Sequence, residues 1–490
     1  MSIRLTRWSS MLGSAKARAD AKRKESTALL MVMAVVLSVI LGPGGVAQAP
    51  QAEQELIRMY QENRPYAIVP PELFDRLGWD LPDGGATVKA LADAAPGGAF
   101  DPRKLESLPA DRLGYRAKWH EVRYDVYGIP WEIGGLHLTP NQPTPGLPTI
   151  AIINGGSANL YEFYVDLFNN PGLGQYLAQK VPVLIITIPG NYKHGGWPDK
   201  PYENRIPAYL LHENISAREA RARNAIYTFR VVNEGVRQLI EKSTTGPIVV
   251  VGHSTGGEIP FLLYETNLKS RFNNLYLGWG SGGPAGLSDD ILGPEENRRR
   301  NLARFTDYPN LAQLRARTPD GEDSYISSRY IGPLNPCKGA NDAEVARCWF
   351  RQEERRRPQF KQVLQDAEHQ GADVMLERYQ REIREALAGS GLPVRPEEVI
   401  ADLFITNRAP VTGFRKMLWL VGRLDNGHWN FRDPERAAEV QVANQFRRLN
   451  PQAAIRVAEF DAPITHYGHM ERPKQVAGGL VAALKWLMQP

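Results

Sequence analysis

The chain has 490 residues, 42% of them hydrophobic and 23% charged, which is the make-up of a globular protein with a large core and excludes a disordered or fibrous one. Its formal net charge of +5 is accounted for by the first 49 residues, where seven Lys/Arg stand against Asp20 and Glu25. The remainder is neutral, so composition gives no electrostatic reason for binding nucleic acid or an anionic membrane.

The N-terminal segment reads as an export leader. A basic stretch ends at Lys24, an apolar run of 14 residues extends from Ala28 to Leu41, and Ala47-Gln48-Ala49 supplies small residues for cleavage after Ala49. The run is shorter than the roughly 20 residues a membrane-crossing helix needs, which favours cleavage. Retention as an uncleaved anchor is the alternative. No Arg-Arg pair precedes the run, so Sec-type export to the periplasm or medium is expected, with no stable membrane span after cleavage.

Residues 50–117 form an N-terminal extension expected to pack on the main domain, with a short helical pattern from Glu53 to Glu62 and Pro/Gly-rich pieces at Val69-Pro70-Pro71 and Pro82-Asp83-Gly84-Gly85. Two strands follow, Trp119–Val126 and Trp131–Leu138, joined by Tyr127-Gly128-Ile129-Pro130 and read as an antiparallel pair. The texture then changes to buried strands alternating with helices, the pattern of a βαβ sheet. Thr149–Ile153 leads into Asn154-Gly155-Gly156, and Val183–Ile188 leads into Pro189–Tyr192. A long helix is predicted from a capping box at Ser216 and Glu219, with Ala225, Phe229, Val232, Val236 and Leu239 on one face. The strands Ile248–Val251, Leu275–Trp279 and Met417–Val421 complete the clear set.

About 130 residues separate the last two of these strands, far more than an ordinary βα connection. This charged, helical stretch is read as a lid at 285–410, between core segments 118–284 and 411–490. Its Arg298–Arg300 and Arg355–Arg357 triplets are balanced by Glu295, Glu296, Glu353 and Glu354, as salt-bridged helix faces would be. The lid also holds the chain's two cysteines, Cys337 and Cys348, which are either a disulfide in an exported protein or two small unpaired hydrophobes. They do not have the spacing of a redox or metal motif.

The segment Pro247-Ile-Val-Val-Val-Gly-His-Ser-Thr-Gly-Gly257 carries the chemistry. Four apolar β-formers run without alternation, as in a strand covered on both faces, and break at Gly252-His253-Ser254-Thr255-Gly256. Glycines flank Ser254 where a side chain would collide inside a sharp strand-to-helix turn, and Glu258–Glu265 can form the helix. A serine hydroxyl needs a base to take its proton and a third group to orient that base. Two histidines compete for the first role in Thr465-His466-Tyr467-Gly468-His469-Met470-Glu471-Arg472-Pro473, a loop before a helix striped by Val476, Leu480, Ala483 and Leu487.

Here the chain resembles the α/β-hydrolase superfamily, serine esterases and lipases in particular, whose catalytic loop often reads Gly-His-x-x-His-x-Glu-x-Pro with the first His as base. The resemblance implies a mostly parallel sheet with helices on both faces, a lid insertion, and the order Ser, acid, His. It favours His466 over His469 as base. For the acid it favours Asp425, after Val421-Gly422-Arg423-Leu424, over an Asp-Asn-Gly turn at the same place or over Asp289 and Asp290. The amides of Thr255 and Gly156 become the expected oxyanion donors, Asn154-Gly155-Gly156 standing in for a His-Gly loop. The function implied is an exported carboxylic ester hydrolase acting on a small-molecule ester. An amidase or peptidase with the same triad and a non-catalytic binding protein of the same fold are the alternatives. Tyr308, Tyr325, Tyr330, Trp349, Phe350, His194 and Trp197 are candidates for bordering the substrate. No metal or cofactor is expected, since the chain has no H-E-x-x-H, no Walker loop and no G-x-G-x-x-G after a strand.

Overall fold

The computed structural model describes residues 44–62, 64–82, 84–94, 102–153, 161–165, 170–187, 226, 228–280, 372–402, 405, 412–423, 438–462, 464 and 468–490. The chain divides into two compact units, Met1–Gln51 and Ala52–Pro490. The apolar run of the leader, both cysteines, the Arg triplets, the capping box, Asp289 and Asp290, and the residues expected to border the substrate lie outside the described residues.

Helix α1 (Gly44–Gln61) is followed by β1 (Tyr66–Val69) and α2 (Pro71–Asp75), and then by the hairpin β2 (Tyr115–Val126) and β3 (Ile129–Pro140). The hairpin turns at Tyr127 and Gly128, both with positive φ. β4 (Thr149–Ile153), α3 (Tyr161–Tyr164), α4 (Leu173–Leu177), β5 (Val183–Ile186) and α5 (Phe229–Ser243) lead to β6 (Ile248–His253), α6 (Ile259–Leu263) and β7 (Leu275–Trp279). After α7 (Ala372–Leu387) and α8 (Pro396–Ala401) come β8 (Lys416–Gly422), α9 (Ala438–Leu449), β9 (Ala454–Phe460), α10 (Gly468–Glu471) and α11 (Pro473–Met488).

Among the described residues, nine strands make one mixed sheet in the order β1-β9-β8-β7-β6-β4-β5-β3-β2. Only the β2–β3 and β3–β5 pairings are antiparallel; the rest are parallel. The uninterrupted apolar runs of β4, β6 and β7 follow from burial on both faces. Alternate residues feed two cores. Ile150, Ile152, Val249, Val251, Leu277 and Leu418 join α11, α4 and α2 on one side. Ala151, Ile153, Val250, Tyr276, Met417 and Trp419 join α5, α6 and α9 on the other.

Several sequence expectations change. The extension at 50–117 contributes a strand, β1, which pairs with β9, and neither strand was foreseen. The helix after the serine motif is shorter than predicted: a 3-10 turn over Ser254–Glu258 precedes α6. In α5 the buried face is Val231, Gly235, Val236, Leu239 and Ile240, while Phe229 and Val232 are only partly buried, so the predicted stripe is rotated. The end of the predicted lid also behaves as core. Ile383, Leu387 and Val399 are buried with the α5 side of the sheet, and Asp402 accepts hydrogen bonds from Tyr127 (2.7 Å) and Arg230 (3.0 Å).

Candidate active site

The strand order reverses between β4 and β6: from β4 the chain crosses to β5 on one side, then returns to β6 on the other. In open parallel sheets the crevice at such a switch point, outside the carboxyl ends of the strands, is where ligands bind. Ser254 stands there, immediately after β6, the fifth of the nine described strands. Pairing of Ile153 with Gly252 sets the carboxyl ends of β4 and β6 side by side.

Ser254 has φ 55°, in the left-handed region that costs most residues about 1–2 kcal/mol. Its surroundings enforce this. The Ser254 amide donates to the Gly280 carbonyl (3.2 Å), and the Gly280 amide donates to the Leu420 carbonyl (2.9 Å), so the ends of β6, β7 and β8 are tied in series. A Cβ on Gly252 would stand 2.6 Å from the Gly256 carbonyl oxygen, which is the collision that the glycine spacing implied. Ser254 itself is partly exposed, whereas His253 is buried. Thr255 occupies the first turn of the 3-10 segment, where backbone N–H groups have no acceptor within the helix.

Of the other expected site residues, Gly156, Asp425 and His466 lie outside the described residues. His469 is described. It sits in α10 at 0% exposure, and its Nδ1 accepts a hydrogen bond from the Trp279 indole N–H (3.1 Å). An indole nitrogen only donates, so the neutral ring carries its proton on Nε2. A triad base needs the opposite arrangement, with Nδ1–H donating to a carboxylate.

Around His469 the structure assembles groups that the sequence reading passed over. The Phe163 ring of α3 stacks on it with centroids 4.4 Å apart and planes 11° from parallel. The His253 ring meets it edge-on at 4.5 Å. A Cβ on Gly468 would lie 3.0 Å from Trp279, so the turn into α10 packs directly on that indole. Each of these residues ends a strand or follows one at the carboxyl edge, and position was the one signal available in the sequence.

Helix α3, the next described element after β4, is also held in place by buried hydrogen bonds. The Tyr164 and Tyr115 hydroxyls lie 3.1 Å apart, Tyr115 donates to Gln175 Oε1 (3.2 Å), and Gln175 Nε2 donates to the Tyr164 carbonyl (2.6 Å). Burial pushes both phenols above their ordinary pKa, so they act as neutral hydroxyls. Among the described residues, no group of three or more His, Cys, Asp or Glu is arranged to hold a metal ion, and no helix is long and apolar enough to cross a membrane.

No family model and no curated protein matches the chain. Among solved structures it is similar to a probable hydrolytic enzyme from Pseudomonas aeruginosa, at 15% identity and TM-score 0.36, over 76% of this chain and 95% of that one. A serine hydrolase involved in carbazole degradation aligns at 17% identity and TM-score 0.31, over 76% and 99%. A mutant haloalkane dehalogenase from Agrobacterium tumefaciens aligns at 14% identity and TM-score 0.35, over 77% and 100%. A mostly parallel sheet edged by an antiparallel pair, helices on both faces, and a strained serine between its central strand and a helix give the chain the α/β-hydrolase fold.

Proposed function

We propose that the protein is an exported serine hydrolase that cleaves carboxylic esters of small molecules through Ser254, His466 and Asp425. The observation that carries this reading is Ser254: a non-glycine residue at φ 55°, partly exposed, at the carboxyl end of the central strand and at the switch point of the sheet. Strain of this kind persists only where surrounding structure enforces it, and it clusters where chemistry needs a side chain presented.

His466 takes the proton as Ser254 Oγ attacks the ester carbonyl carbon. The resulting oxyanion accepts hydrogen bonds from the Thr255 and Gly156 amides, which lie on chain leaving the paired strands β6 and β4. Collapse breaks the bond to the alcohol oxygen, which receives the proton from His466. Water, deprotonated by the same imidazole, then releases the acid from the acyl-enzyme. Asp425 accepts the Nδ1 proton of His466 without becoming protonated. It follows the end of β8 by three residues, and β8 lies two strands from β6, about 10 Å at ordinary strand spacing. Export rests on the leader at 1–49, and acyl-chain choice falls to the 285–410 insertion.

Hydrolysis of p-nitrophenyl esters of increasing chain length, beside a matched p-nitroanilide, tests this reading. Esters are expected to be cleaved faster than the amide, with Ser254→Ala lowering kcat by at least about 10⁴-fold. An amide cleaved as fast as its ester points to an amidase. Equal rates for the wild type and Ser254→Ala overturn the mechanism.

A further inference from the structure

We propose that His469 is a positioning residue for hydrolysis: a buried neutral imidazole that locks the elbow carrying Ser254 to the segment supplying the base. The inference rests on the reading of Ser254 and His466 given above.

Four separate stretches of chain meet on this one ring. Trp279 ends β7 and donates to its Nδ1 (3.1 Å). Phe163, in α3, covers one face at 4.4 Å. His253, the residue immediately before Ser254, touches it at 4.5 Å and also meets Phe163 at 5.8 Å. The fourth stretch is its own, α10, which begins two residues after His466 in the chain. β6 and β7 pair at His253 and Trp279, so the hydrogen-bond donor and the neighbour of the nucleophile stand side by side beneath the ring.

The chemistry of the cluster supports positioning over proton transfer. A ring at 0% exposure does not reach substrate. With Nδ1 occupied by an indole N–H, protonating that nitrogen would set two donors against each other, so the ring is held neutral in one tautomer. Offset and edge-on aromatic contacts at these distances fix orientation as well as burying area. A positional error of about 1 Å in a catalytic group costs on the order of 100-fold in rate. Fixing the separation between the elbow and the base segment therefore bears directly on kcat.

The test uses the full chain, with p-nitrophenyl acetate turnover, fluorophosphonate labelling and the pH profile of kcat/KM. His469→Phe keeps the stack on Phe163 but removes the acceptor; His469→Gln keeps an acceptor for Trp279; Trp279→Phe removes the donor. His469→Phe is expected to lower kcat about 10–100-fold with KM changed less than about threefold, and to move the acid limb of the profile, because a displaced base loses its carboxylate partner. His469→Gln should recover part of the loss. Adding Trp279→Phe to His469→Phe should cost little more, as coupled partners require.

Two outcomes among the variants overturn the inference. In one, His469→Phe lowers only the melting temperature, with kcat and the pH limb unchanged. In the other, every His469 variant, including Gln, falls to the level of Ser254→Ala while His466→Ala stays active, making His469 the base. Absence of labelling in the wild type overturns the nucleophile reading itself, and this inference with it.

Discussion

At the scale of single residues, the site is built on backbone constraint before any side-chain chemistry. Ser254 stays in the left-handed region because Gly280 holds its amide and because the chain folds back over Gly252 too closely for a side chain. The obstruction at Gly252 is backbone, which cannot swing away. Gly252→Ala is therefore predicted to destabilise the protein by about 2–3 kcal/mol, the upper range for overpacking, read as a lower urea midpoint at unchanged slope. A loss under about 0.5 kcal/mol would mean the elbow is looser than described. The sharp turn at Ser254 and the need for flanking glycine were legible in Gly252–Gly256. The packing around His469 was not, because spacing carries no information about burial or about an indole donor 190 residues away in the chain.

Elements were legible where burial on both faces left an unbroken apolar run, as in β4, β6 and β7. β9 was hidden by Arg456 and Glu459 within its seven residues, and β1 by its shortness among prolines. The two omissions explain each other. β1 brings Tyr66, whose hydroxyl donates to Glu459 at 2.5 Å, so β9 keeps a buried carboxylate that would otherwise be costly. The β2–β3 hairpin carries a different burden. His137, pushed down to about 4 by burial and then by His120 and Lys118, stays neutral in the folded hairpin. Its unfolded counterpart titrates at the ordinary value of 6.5. Between those two values the unfolded state binds the proton and the folded state does not, so stability falls as pH drops through this window and levels off below it. Replacing His137 by Gln should shrink the stability difference between pH 7 and pH 4.5 by about 2 kcal/mol, measured by urea unfolding at both values. An unchanged difference would place the acid sensitivity elsewhere.

For the molecule as a whole, the N-terminal extension belongs to the core. Leu56, Ile57, Tyr60, Val69, Leu73, Phe74, Leu77 and Val88 are each at most 4% exposed, and Phe74 packs on Phe460 of β9 with ring centroids 4.9 Å apart. At about 1.5–3 kcal/mol per buried large apolar side chain, their combined contribution reaches or exceeds the roughly 5–15 kcal/mol by which a domain is stable. A chain starting at Pro102 is accordingly expected to show no cooperative melt, where one starting at Pro50 does. A cooperative transition within a few degrees of the longer chain would contradict this. The sequence marked the extension as packed but not as a sheet edge, since a four-residue strand gains meaning only from its neighbour.

The proposed function turns on Ser254 as the nucleophile. The most direct measurement is labelling of the purified protein with a fluorophosphonate probe, followed by mass mapping of the adduct. One covalent adduct per chain is expected, on Ser254, absent from Ser254→Ala and strongly slowed in His466→Ala. An unlabelled wild-type protein, or equal labelling of Ser254→Ala, would contradict it.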